Sequence, residues 1–372
     1  METIDLSNEP LPERTTDREF DQRFIGDAAK YLKDIRDNSK DYVTPVTAME
    51  VKQNGNKWNM WLGFDGGLLA FNPTPWARNQ TIGVTELPKR YHDTLTERGH
   101  VDEAVKHLNM WLHEDPNKKF QVRTVADDYR ALVSPGYNAF DNYDMFITTA
   151  NAIKSANLMR DDTTKPITYY KSQVSDQNLY LHLIDEGREW DLGKGDTYKP
   201  MIVIKNSEVG DGAMRVDAGL WRSMCSNLML HGVISRRVHM GERLSEGIWS
   251  PETRIAQNEL WKGILRDSIN AGVASDELFQ PMLDEIRETK EIKVEPLEAV
   301  AKIKKAVKLT DAEEGDIISM MMGDRTIIED DRNTLFAVTN GMTQAAKNFG
   351  IERGNEVMRI AGDMKTLIKV VA

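Results

Sequence analysis

Only one of the 372 residues is cysteine, Cys225. This excludes an intramolecular disulfide and a cysteine-rich zinc site, and a lone thiol fits a reducing compartment. Histidine is scarce too, seven in all, and no two stand in the His-Glu-x-x-His spacing of a helix-borne metal site. His107 and His113, six apart, fall on opposite faces of a helix. No apolar run approaches the roughly 20 residues of a membrane-spanning helix. The polar, acidic start METIDLSNEPLPERTTDREF lacks the basic flank and apolar middle of a secretory signal, so a cytoplasmic, non-membrane protein is expected. Low-complexity segments and repeats of fixed period are missing, which speaks against a solenoid. Neither Gly193-Lys194-Gly195 nor Gly210-Asp211-Gly212 has the glycine spacing of a nucleotide loop or a following Lys-Ser/Thr. Both read as turns, and no cofactor is expected.

What is present is an ordinary globular balance, 40% hydrophobic and 29% charged. The length suits two domains, or one large domain with helical additions. The pattern divides into an N-terminal helical arm (1–40), an α+β core rich in hairpins (41–250) and a mostly helical C-terminal region (251–372). Charge is uneven: the net is -11, yet Tyr198 to Leu244 holds seven cations against four carboxylates. Residues 276–331 hold 16 acidic and 8 basic side chains, which reads as a solvated helical face.

Periodicity supplies the elements. Phe20, Phe24, Ile25, Ala28, Tyr31 and Leu32 lie at helical spacing. Between Pro45 and Phe71 two alternating runs meet at Asn54-Gly55, a hairpin signal because both residues tolerate positive φ, and Leu68 to Phe71 adds a short third strand. Residues 75–112 turn helical, with Pro88 in a first turn and Gly99-His100 as a break. A second hairpin surrounds Asp127-Asp128, and a helix covers Asp144 to Leu158. A third hairpin spans Ile167 to Ile184, with Leu179, Leu181 and Leu183 on the core side and Tyr180 and His182 opposite. A fourth pairs Met201–Asn206 with Met214–Leu220 around Gly210 and Gly212. The fold class is α+β: antiparallel β-hairpins packed with helices, mostly helical beyond Ser250.

Single-stranded nucleic acid is held by cations with aromatic platforms, and the last two hairpins carry those residue types. Tyr170, Lys171, Tyr180, His182, Lys205, Arg215, Arg222, Arg236 and Arg237 are the candidates, with Asn227 beside them. The competing reading caps an exposed sheet face with Tyr180 and His182 and pairs the arginines with Asp217, Glu242 and the acidic C-terminal region. Arg123 and Arg130 stand on opposed strands, within reach of one phosphate or of Asp127, Asp128 and Asp141. A short turn aims Arg222 and Asn227 at one spot, with Cys225 between; a structural role fits them as well. Thiol nucleophilicity needs a base, and sequence places neither His231 nor His239 beside Cys225. The best enzymatic alternative is a magnesium nuclease built on the strand-borne Glu50-Val51-Lys52.

A set of residues in order along the chain carries a resemblance. These are Gly83, Leu87-Pro88 and Tyr91; Arg123, Arg130-Ala131, Ser134, Tyr137 and Asp141-Asn142; then Asn206-Ser207, Gly210, Gly212, Arg222, Cys225-Ser226-Asn227, His239, Asn333 and Asn340. Over roughly residues 45 to 362 the chain resembles the phage/plasmid-like proteins grouped as domain of unknown function 932, departing from them at Leu228, where glycine is usual. The resemblance implies a phage or plasmid origin and supplies no activity. By architecture alone it is similar to the single-strand annealing proteins of phage recombination, a fold-level analogy. The expected function is therefore single-stranded DNA binding, with strand annealing in replication or recombination and a homo-oligomer as its extensions. The alternative is a non-enzymatic factor that binds a protein partner through its acidic helices.

Overall fold

The computed structural model describes residues 17–64, 66–225, 227–237, 250–274 and 276–371. Strand β1 (Arg18–Asp21) opens the described chain, so Phe20 is a strand residue and not part of the helix its spacing suggests. Helix α1 (Ile25–Asp37) begins after an Asp21 side chain that accepts from the Arg23 N–H. Strands β2 (Ser39–Pro45), β3 (Met49–Asn54), β4 (Lys57–Phe64) and β5 (Gly67–Pro73) follow. The β3–β4 loop is Gly55-Asn56, one residue later than expected, with Gly55 at φ +58° where glycine costs least.

Thr74 caps α2 (Pro75–Val84) by accepting from Ala77 N, and α3 (Lys89–Glu97) and α4 (Val101–Leu112) break at the predicted Gly99. The hairpin of β6 (Lys119–Val125) and β7 (Asp128–Val133) turns at Ala126-Asp127, one residue earlier than expected. Asp141 caps α5 (Asn142–Leu158). Then come β8 (Ile167–Val174), β9 (Leu179–Asp185), the short β10 (Trp190–Asp191), β11 (Thr197–Asn206), β12 (Met214–Arg222) and β13 (Asn227–Arg237). Helices complete the chain: α6 (Pro251–Ala274), α7 (Gln280–Glu291), α8 (Pro296–Val307), α9 (Asp311–Gly323), α10 (Leu335–Ala345), α11 (Ile351–Gly362) and α12 (Met364–Val371). The fold is α+β with a helical C-terminal part.

The larger sheet has seven strands in the order β1-β8-β9-β11-β12-β13, with β10 paired to β11; the smaller has six, β2-β6-β7-β5-β4-β3. β5 meets β7 in parallel; the other pairings among the described strands are antiparallel. One face of the larger sheet packs on α1, α5 and α6 around Leu181, Ile204, Val216 and Trp261. The opposite face packs on the C-terminal helices around Val203, Leu230, Phe336 and Val357. Contact there is close: a Cβ added at Gly362 would lie 2.0 Å from the Leu230 carbonyl oxygen, so α11 rests backbone to backbone on β13. The smaller sheet buries one face, with Trp58, Met60 and Val122 against α2 and α4. A seam of Ala131, Val133, Tyr137 and Val209 joins the two sheets.

Candidate nucleic-acid interface

Strand register decides which polar side chains of the larger sheet stand together. Gln173, Tyr180, Lys205, Arg215 and Arg236 are directly opposed across β8, β9, β11, β12 and β13. Opposed residues share a face, with Cβ atoms about 5 Å apart, so Lys205, Arg215 and Arg236 form one cationic row. Carboxylates temper the repulsion. Lys205 Nζ lies 3.5 Å from Asp211, and Asp217 takes Arg215 at 2.9 Å and Arg359 of α11 at 3.2 Å. The Lys205 and Arg215 side chains keep 17% and 20% of their exposure. Arg236 and Arg237 are exposed, and no described carboxylate pairs with either. Arg237, opposite Met214, points to the other face.

Tyr180 and His182 do not cap an open sheet face, because α11 covers them. Tyr180 is 4% exposed, and its hydroxyl donates to Glu352 at 2.7 Å. Burial, then the charge of Glu352, raises its pKa. Glu352 also accepts from Asn178 and Ser175, closing the end of the β8–β9 hairpin. His182 is fully buried, and neither ring nitrogen finds a partner among the described residues. Burial first, and the charge of Lys171 second, push its pKa well down, so the imidazole is neutral at pH 7.

His182 forms part of the wall of a cavity of about 210 Å³ beside α11, which Gln173 lines but Lys205, Arg215 and Arg236 do not. Tyr170, Lys171, Trp221, Lys347 and Asn355 also line it. Tyr170 is a bulge residue in β8, and its ring meets Trp221 edge-on at 6.1 Å. Lys171 pairs with Glu19 at 3.2 Å. Lys347 Nζ donates to the Cys225 carbonyl at 2.8 Å, and burial, with the nearby Lys171 charge adding to it, lowers its pKa. Tyr170, Lys171 and His182 thus come together as expected, but in a pocket under helices and not on an open sheet.

Arg123 and Arg130 converge on Glu208, not on a free phosphate position. A bulge between Arg123 and Thr124 sets their register. Arg130 pairs with the Glu208 carboxylate at 3.0 Å; Arg123 donates to the Glu208 carbonyl at 2.7 Å and pairs with Asp41 at 3.0 Å. The other Glu208 oxygen accepts from Asn142 N at 2.7 Å. The carboxylates described with them are thus Asp41 and Glu208, and not Asp127 or Asp141. Burial would raise the Glu208 pKa, but Arg130 and Arg123 outweigh it and the net shift is downward. Asp141, one residue before, is pushed up to about 7 by burial and by the Glu208 charge.

Arg222 and Asn227 do face one spot, and it is structural. Arg222 is 2% exposed and binds Asp196 at 2.5 Å, a carboxylate that also holds Lys290 at 2.7 Å and the Tyr198 hydroxyl at 3.0 Å. Asn340 Oδ1 of α10 accepts from Arg222 at 3.4 Å and from Asn227 at 3.2 Å. Neither residue is open to a nucleic acid. Cys225 Sγ approaches the same oxygen at 4.0 Å. His239 and Ser226 lie outside the described residues.

The nuclease geometry is not assembled. Lys52 pairs with Glu50 itself at 3.0 Å on an exposed surface, and no cluster of three potential metal ligands occurs among the described residues. No described helix is long and apolar enough to cross a membrane.

Trp221, Lys347, Asn355, Glu208, Glu352 and Asp196 were missed by sequence reasoning. Trp221 alone had a signal, its place beside Arg222 at the end of an alternating run; the others act across separations of up to 182 residues. No family model, curated protein or solved structure matches the chain.

Proposed function

We propose that the protein binds single-stranded DNA along the Lys205–Arg215–Arg236 row, with the exposed Arg237 next in β13 but on the opposite face, as a factor of phage or plasmid replication or recombination. The observation that supports this reading is the register that lines up three partly exposed cations on neighbouring strands. Magnitudes select among the candidates. Part-exposed ion pairs are worth about 0–1 kcal/mol, so a phosphate can replace Asp211 beside Lys205. Breaking a buried pair costs about 3–5 kcal/mol, which removes Arg222 and argues against Arg123 and Arg130. The interface is narrower than the sequence suggested. Self-association belongs to the same reading, and a particle that stays monomeric with and without DNA counts against it.

Fluorescence anisotropy of a labelled oligonucleotide across a salt series is the test. About three phosphate contacts on a single strand give log K against log salt a slope near -2. Arg236→Ala with Arg237→Ala is expected to weaken binding roughly tenfold and flatten that slope. Absence of binding at low salt overturns the proposal. The second reading, a protein partner, draws on the carboxylates already paired with Arg123, Arg130, Lys171, Lys205, Arg215 and Arg222.

A further inference from the structure

We propose that the cavity beside α11 binds a single nucleotide, its heteroaromatic ring against Tyr170 and Trp221 and its phosphate at Lys347 and Lys171. This goes beyond strand binding on the cationic row and stands without it, because none of Lys205, Arg215 and Arg236 lines the cavity.

Size sets the first limit. At about 210 Å³ the cavity is below the roughly 300–1,000 Å³ of clefts that enclose a drug-sized ligand, so it takes the base and the phosphate and leaves the sugar outside. That limit suits one nucleotide better than a stretch of strand.

Charge sets the second. Lys347 spends one ammonium proton on the Cys225 carbonyl, no described carboxylate pairs with it, and an ammonium has three donors. Lys171 stands close enough for the two cations to act on each other. An anion between them meets both cations once it displaces Glu19, the half-exposed carboxylate on the cavity wall that holds Lys171 at 3.2 Å, a pair worth about 0–1 kcal/mol.

The walls set the third. Asn355 is 3% exposed, and its amide is oriented by donating to Gln173 Oε1 at 3.0 Å and Ile351 O at 2.9 Å. Its Oδ1 is therefore an acceptor, and it has no donor among the described residues. His182, buried and without a partner, offers one donor and one acceptor as a neutral ring. A base edge carries both kinds of group. A plain aromatic acid would leave these buried atoms unpaired, a mismatch that sites of this kind reject. Tyr170 and Trp221, inclined at 61° with centroids 6.1 Å apart, supply the apolar contact for the ring.

The test uses the full-length chain with deoxynucleoside 5′-monophosphates, inorganic phosphate and benzoate, read by saturation-transfer NMR and calorimetry. At least one mononucleotide is expected to bind at least tenfold more tightly than phosphate or benzoate. Lys347→Met should weaken it at least tenfold with an unchanged thermal midpoint, and Tyr170→Leu should weaken it as well. Arg236→Ala with Arg237→Ala should leave it unchanged, which separates this site from the strand-binding row. A free nucleotide and one unstacked nucleotide of a strand share this chemistry. Displacement of a labelled oligonucleotide by mononucleotide assigns the pocket to the strand, and independent binding assigns it to a free nucleotide; both uphold the site. No mononucleotide binding up to roughly 5 mM, phosphate binding as tight as nucleotide, or unchanged affinity in Lys347→Met would each overturn it.

Discussion

The larger sheet is covered on both faces and the smaller on one, and the polar residues of the two sheets behave accordingly. In β3 of the smaller sheet buried Met49 and Val51 alternate with Glu50 and Lys52, which stay in water and pair with each other, Lys52 also lying over the Trp61 ring. In β9 of the larger sheet all seven positions are buried, so the residues that alternation assigns to solvent lie beneath α11. A covered polar group must find a partner or pay for desolvation. Tyr180 finds Glu352, and Asp217 finds Arg215 and Arg359. His182 finds none, and it lies where a pocket opens. Polar residues on the open face of β3 are thus solvation, whereas on the two-sided sheet, and at the seam where Arg123 and Arg130 of the smaller sheet meet Glu208, they form a structural network or line a cavity.

The sharpest way to break this comparison is inside the two-sided sheet. Arg222→Met leaves Asp196 buried with only Lys290 and the Tyr198 hydroxyl, and a loss of about 3–5 kcal/mol is expected from urea unfolding. A loss below about 1 kcal/mol would mean that the network under the helices is no more demanding than a surface.

The seam between the sheets should give a smaller, pH-dependent effect. The folded pKa of Asp141, about 7, is above the unfolded value of about 4. Its contribution is therefore complete below pH 4 and is lost as pH rises through 7. Glu208 shifts the other way, so its contribution is present above about pH 4.5 and lost on acidification. Asp141→Asn keeps a capping oxygen and should gain on the wild type from pH 4 to 7, then hold level, by on the order of 1–3 kcal/mol. Paired denaturation curves at pH 5 and 8 check the sign. The smallest effect belongs to the one-sided sheet: Glu50→Gln should change stability by less than about 0.5 kcal/mol and abolish nothing.

Four hairpins were legible because alternation and turn residues are local signals. Two of their loops moved by one residue, since Asn54, Gly55, Asp127 and Asp128 all suit turns and only pairing chooses between them. β13 was missed because its apolar run Leu228-Met229-Leu230, buried against helices, has no polar face to alternate with. β1 was missed because four residues shared their apolar spacing with the helix after them. Of the site, Tyr170, Lys171 and His182 were legible by residue type and closeness in sequence. Lys347 and Asn355 were not, because nothing near them in the chain refers to the sheet they cover.

By itself the sequence determined the class of the fold, the positions of the hairpins and the concentration of cations near residue 200, all of which follow from local periodicity and composition. Only the tertiary structure decided which cations remain in reach of a ligand. That depends on the helices laid across the larger sheet, which bring Glu352 and Lys290 to it, and on the loops flanking β11, which carry Asp196 to Arg222 and Glu208 to Arg130. Burial and pairing energies, and not residue type, then separate a binding cation from a structural one.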